Sequence, residues 1–143
     1  MKKSIFLSRL VTEELVGSKY ARLAEPFRYY SLILDTVIEV PIGFICDYES
    51  LPILKATSKR AGVIHDYLCR IDSDPVVTKS TAAAVYNEAQ ALRDSMVCKN
   101  KFKLCWRAIL RGIKTSAVRV APGYFHKKTV AAHPKAGQPE NGT

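Results

Sequence analysis

Near residue 58 the hydrophobic pattern of this chain changes period, and that change restricts the fold more than any other feature. Before it, the segments "YARLAEPFRYY" and "LILDTVIEVPIGFI" are rich in aromatic and β-branched residues, punctuated by Pro26, Asp35 and Pro41-Ile42-Gly43. Such stretches suit a pleated, half-buried surface. Two to four antiparallel strands are therefore expected up to about Asp47, with the segment after Gly43 leaving the sheet. Beyond residue 58 the apolar residues recur at helical spacing. Ser58 is placed to cap a helix whose Ala61, Ile64 and Leu68 share one face, and which ends before the turn-like "DSDP" at 72–75. A second helix is expected from Thr78 or Ser80 to about Val97, with Val85, Ala89, Leu92 and Met96 as its apolar stripe. A third, over about 101–120, carries Phe102, Trp106, Ile109 and Ile113 on one face.

This order of elements defines an α+β fold, a small antiparallel sheet from the N-terminal half packed against about three helices from the C-terminal half. At 143 residues the chain suits one domain, over 1–122, followed by an extended polar tail over 123–143 in which "HKKTVAAHPKAGQPENGT" has no hydrophobic period. No apolar run approaches the roughly 18 to 20 residues needed to span a bilayer. The start, "MKKSIFLSRLV", imitates a secretory leader, but Arg9 interrupts its apolar stretch and Glu13 and Glu14 follow. A mature chain made in the cytoplasm is the expectation. Cys46, Cys69, Cys98 and Cys105 lack metal-knuckle or disulfide spacing, so free thiols are expected.

The net charge of +9 is unevenly distributed. Residues 1–98 balance 12 Lys and Arg against 12 Asp and Glu, whereas residues 99–143 hold 10 basic residues against Glu140 alone. On the third helix Lys103, Arg107, Arg111 and Lys114 form a basic stripe without interleaved acids. Such a stripe fits an anionic partner, either nucleic acid or an acidic protein surface. No base-reading motif accompanies it.

Two polar clusters interrupt the apolar pattern. "GFICDYESLPI" sets Asp47 and Ser50 beside a Gly turn, and "AGVIHDYLCR" sets His65 beside Asp66. Neighbouring helical residues diverge by about 100°, so His65 and Asp66 face one pocket only from a helix edge. Joined by Asp47, they make a candidate divalent-metal site or general-base cluster, with Ser50 as nucleophile or water-positioning group. The competing reading makes Asp47 and Ser50 turn and helix caps, and makes His65 a hydrogen-bonded brace between helix and sheet. His65 and Cys69 are four apart and share a helix face, but no second ligand pair accompanies them.

The paired motifs "VPIGFICDYESLP" and "AGVIHDYLCR" resemble the "VPxGFxTDxASxP" and "AAxxHDxLY" patterns of a phage and prophage protein family without an assigned activity. The likeness runs from about Arg22 to Gly112 and rests on Gly43, Phe44, Asp47, Ser50, Pro52, His65, Asp66 and Leu68. Cys46, Glu49 and Cys69 depart from the pattern. The acidic residue that relatives often carry in the next helix would fall near Ala83, leaving a metal site here short of a ligand. The resemblance implies a tailed-phage or prophage origin and no particular activity. Weighed with the basic helix, the polar tail and the lack of a catalytic motif, it leads to the expectation of a structural or accessory component of a virion, of the tail or baseplate, bound to other virion proteins and without a cofactor. The alternatives are a small metal-dependent hydrolase, with peptidoglycan as the candidate substrate, and a phage protein that binds DNA or a host factor through the basic helix.

Overall fold

A computed structural model describes residues 1–17, 20–46 and 59–97, together with 108, 109 and 112. Six short strands precede two helices: β1 (Ile5–Phe6), β2 (Thr12–Glu14), β3 (Ala21–Leu23), β4 (Phe27–Ser31), β5 (Thr36–Val40), β6 (Ile45–Cys46), α1 (Lys59–Leu68) and α2 (Lys79–Val97). The architecture is α+β, as expected, but the strands form two three-stranded antiparallel sheets, ordered β1-β4-β5 and β2-β3-β6. The expected third helix falls largely outside the described residues; Ala108, Ile109 and Gly112 are helical. Ile109, expected on an apolar stripe, is exposed. Residues 123–143 also lie outside the described residues.

β4 and β5 alternate as a sheet with one covered face must. Phe27, Tyr29 and Ser31 point inward beside Ile38 and Val40, while Arg28, Val37 and Glu39 point out. The strands pair from Phe27 opposite Val40 to Ser31 opposite Thr36. Their connection turns between Leu32 and Asp35, whose amide donates to the Leu32 carbonyl at 3.3 Å. Asp35 closes this loop in the left-handed region, at φ 46°. Asp is among the few non-glycine residues that enter this region readily.

The segment after Gly43 leaves the β1-β4-β5 sheet, as expected, and joins the other one. A turn over Pro41–Phe44, with Phe44 N–H donating to the Pro41 carbonyl, places Gly43 at φ 79°, the third position of a type II turn. The Gly43 amide then bonds the Leu23 carbonyl at 2.8 Å, and Ile45–Cys46 pairs with β3. Lacking a Cβ, Gly43 takes the turn that carries the chain from β5 of one sheet to β6 of the other.

The helices cover the inner faces. Ala61, Ile64 and Leu68 of α1 are fully buried, as their spacing predicts, and Val63 and Tyr67 widen that face. Thr78 caps α2 by accepting from the Thr81 amide at 3.2 Å. The buried stripe of α2 differs from the expected one: Val85 and Ala89 are buried, but Met96 is 64% exposed, and burial passes instead through Ala82, Ala83, Tyr86, Gln90 and Asp94. Packing against both α1 and β4 rotates the covered arc away from the most apolar line.

Candidate functional site

His65 and Asp66 lie on α1 where it packs against α2. His65 Nδ1 stands 3.8 Å from Asp66 Oδ1, and the two side chains are 20% and 16% exposed. The structure thus places both at the edge of the helix, the one position from which consecutive residues can address the same region. One turn on, Cys69 Sγ lies 3.4 Å from His65 Nε2 and 3.9 Å from Nδ1. From α2, Tyr86 meets the imidazole edge-on, with ring centroids 5.3 Å apart. Burial alone would lower the His65 pKa, but the Asp66 carboxylate and the Cys69 sulfur outweigh it and raise the value above that of a free imidazole.

These contacts define a polar seam between the helices. Asp47 and Ser50, expected to meet it, lie outside the described residues. Among the described residues no group of three or more His, Cys, Asp or Glu side chains is arranged to hold a metal ion. Ala83, at the place where relatives are expected to carry an acid, is fully buried. The nearest acid along that helix, Glu88, is engaged elsewhere. Its Oε1 accepts from Tyr29 Oη at 2.5 Å and from the Leu32 amide at 3.2 Å, and its Oε2 accepts from the Ile33 amide at 2.9 Å. The basic residues Lys103, Arg107, Arg111 and Lys114 lie outside the described residues.

Sequence reasoning missed three members of the polar interior. Tyr86 borders His65, and helical spacing marked α2 for burial without marking Tyr86 as the contact. Glu88 grips a loop 55 residues away in the chain, a pairing that no local pattern encodes. Arg70, 2% exposed, closes α1 with Nε and Nη2 on the two Asp72 carboxylate oxygens at 2.6 and 2.8 Å and its guanidinium 5.8 Å from the Phe44 ring centre. The short-range Arg-Ile-Asp spacing was a usable signal for that pair.

The site therefore consists of a histidine held among a carboxylate, a thiol and a phenol ring at a helix–helix contact, in an α+β protein whose sheets and helices share one core. The chain belongs to the DUF1353 family of proteins of unknown function, whose family model matches residues 21–109, more than half of the sequence. No curated protein and no solved structure matches the chain significantly. Among the described residues no helix is long and apolar enough to cross a membrane.

Proposed function

We propose that the chain is a structural or accessory component of a tailed-phage virion, in the tail or baseplate, made in the host cytoplasm and carried in the particle bound to neighbouring subunits. The observation that supports this best is the outer face of the β1-β4-β5 sheet, where Ile5, Leu7 and Val37 stand about half exposed beside the equally exposed loop residues Leu32 and Ile33. Grouped aliphatic exposure of this kind marks contact surfaces. The paired motifs support a phage origin, and the seam around His65 serves in this reading as a brace. Counting copies of the chain in purified virions by quantitative mass spectrometry, normalised to the major capsid protein, tests the reading. A fixed stoichiometry of several copies is expected, and absence from the particle overturns it.

A small metal-dependent hydrolase, with peptidoglycan as the candidate substrate, is the second reading, favoured by the partial exposure of both His65 and Asp66. It predicts stoichiometric divalent metal in protein purified without chelator, lost in Asp47→Ala and His65→Ala variants. Metal-free protein refutes it.

A further inference from the structure

The seam between the helices is more particular than a brace requires. Residues four apart stand one helical turn from each other, which brings Cys69 over His65, and the Cys69 amide bonds the His65 carbonyl at 2.9 Å. The imidazole is thereby held through its opposite nitrogens. Its Nε2 lies 3.4 Å from Cys69 Sγ, and its Nδ1 lies 3.8 Å from Asp66 Oδ1. The Tyr86 ring meets it edge-on and restricts its rotation. A thiol, an imidazole and a carboxylate in that order are the parts of an activated nucleophile: the reactive atom, its proton acceptor and the group that orients the acceptor. The carboxylate favours a protonated imidazole, and an imidazolium beside sulfur favours the thiolate, the form that attacks.

The other described cysteine is built differently. Cys46 is fully buried, and its Sγ lies 3.6 Å from the Ala21 carbonyl, an acceptor that keeps the proton on sulfur. Cys69 is 9% exposed, and His65 and Asp66 beside it are partly exposed. Gly62 stands one turn before Asp66 on the same face. A Cβ at Gly62 would meet no neighbouring atom within 4 Å among the described residues. The face of α1 that leads to Cys69 is thus open at that end, and a small reagent has room to approach along it.

The chemistry that these groups complete is thiol–disulfide exchange. Acyl transfer would also need donors for an oxyanion, which a carboxylate and an imidazole committed to sulfur do not supply. Exchange needs a thiolate and an acid for the departing sulfur. We infer that Cys69, paired with His65, is a site of reversible S-thiolation by low-molecular-weight disulfides. The Cys69 sulfur attacks one sulfur of a disulfide RSSR, and a new S–S bond forms as the old one breaks. The leaving sulfur takes the proton held at His65 Nε2 and departs as RSH. The protein thiol is oxidised to the mixed disulfide, and one half of RSSR is reduced. This goes beyond the assembly reading and does not depend on it.

The test treats the full chain with the neutral reagent 2-hydroxyethyl disulfide at about pH 7, in buffer containing EDTA, and times the adduct on each cysteine by peptide mass mapping. Cys69 in the folded chain should react about three- to tenfold faster than Cys69 in the urea-unfolded chain, where the thiol keeps its proton. His65→Gln should slow the folded reaction at least about fivefold, and Asp66→Asn should slow it to a lesser extent. The direction separates chemistry from packing, because merely loosening the seam would expose the sulfur and speed its reaction. Dithiothreitol should restore the parent mass. A folded Cys69 that reacts no faster than the unfolded one overturns the inference, as does a His65→Gln rate equal to or above the parent's. Modification of Cys46 at the rate of Cys69 would show that the chain reacts by opening as a whole and would overturn it too.

Discussion

Removing the Glu88 carboxylate should destabilise the fold measurably, and by an amount that can be apportioned. Its three acceptor contacts differ in worth. The Tyr29 side chain is fully buried and Glu88 is half-buried, so the hydroxyl donates to a carboxylate partly shielded from water. A charge-assisted bond of this kind is worth about 1.5 to 3 kcal/mol. The Leu32 and Ile33 amides lie at the surface of the loop and can turn to water, so about 0.5 kcal/mol each is a fair allowance. Glu88→Ala should therefore cost about 2.5 to 4 kcal/mol, read as a lower urea midpoint at unchanged slope, since a single domain of this size is expected to unfold in two states. Tyr29→Phe removes the buried hydroxyl together with its need for a partner and should cost less, about 1 kcal/mol. The double variant isolates the pair, and a coupling energy above about 1 kcal/mol is expected. Burial, and then the bond to Glu88, push the Tyr29 pKa well up, so the phenol keeps its proton across the usable range and the coupling should not change between pH 6 and 9. A Glu88→Ala variant within 0.5 kcal/mol of the parent, or a coupling near zero, would refute the claim that this contact fastens α2 to the sheet.

The seam between the helices makes its own prediction: His65→Ala should lower stability by about 1 to 3 kcal/mol, because it removes the imidazole from between Asp66, Cys69 and Tyr86. The pH dependence has a definite sign. The folded His65 pKa lies above the unfolded value of 6.5, so its contribution is fully present below about pH 6.5 and is lost as pH rises through the raised folded value. Thermal melts of parent and His65→Gln should converge on going from pH 6 towards alkaline pH, and a gap that widens would reverse the assignment. Replacing Arg107 and Arg111 with Glu should leave the melting of the free chain unchanged and block incorporation into virions, and normal incorporation would remove the anionic partner assigned to that stripe.

Elements held by local rules were legible in the sequence, and those held by distant partners were not. α2 starts after Thr78 because a hydroxyl there meets the Thr81 amide, and α1 buries Ala61, Ile64 and Leu68 because three and four residues make a turn. β4 and β5 showed themselves by aromatic and β-branched content between Pro26, Asp35 and Pro41. β1 and β6 have two residues each, too few to display a period, and they exist because Tyr30 and Ala21 offer them partners. The split into two sheets follows from those pairings and so could not be read locally. Met96 was assigned to a buried stripe on hydropathy, whereas the covered arc of α2 follows its two neighbours and includes Gln90 and Asp94. At the candidate site, the adjacency of His65, Asp66 and Cys69 was contained in their spacing, while the approach of Tyr86 needed the crossing of two helices.

Fastening and presentation are divided between the two sides of the β1-β4-β5 sheet. Inside, Glu88 ties α2 to the loop between β4 and β5, and the contact of His65 with Tyr86 ties α1 to α2. The first tie joins elements far apart in the chain and the second joins consecutive helices, so α2 cannot shift without breaking the hydrogen bonds of Glu88 or the ring contact of Tyr86. Outside, the ion pairs Lys2–Asp35 and Arg28–Glu39 are more than half exposed, and pairs of that kind add little stability. They pair the charges nearest Ile5 and Val37, which stand about half exposed on a firmly backed surface. A surface held in one shape by the interior beneath it loses little entropy on docking, which is what the proposed role of fitting against neighbouring subunits calls for.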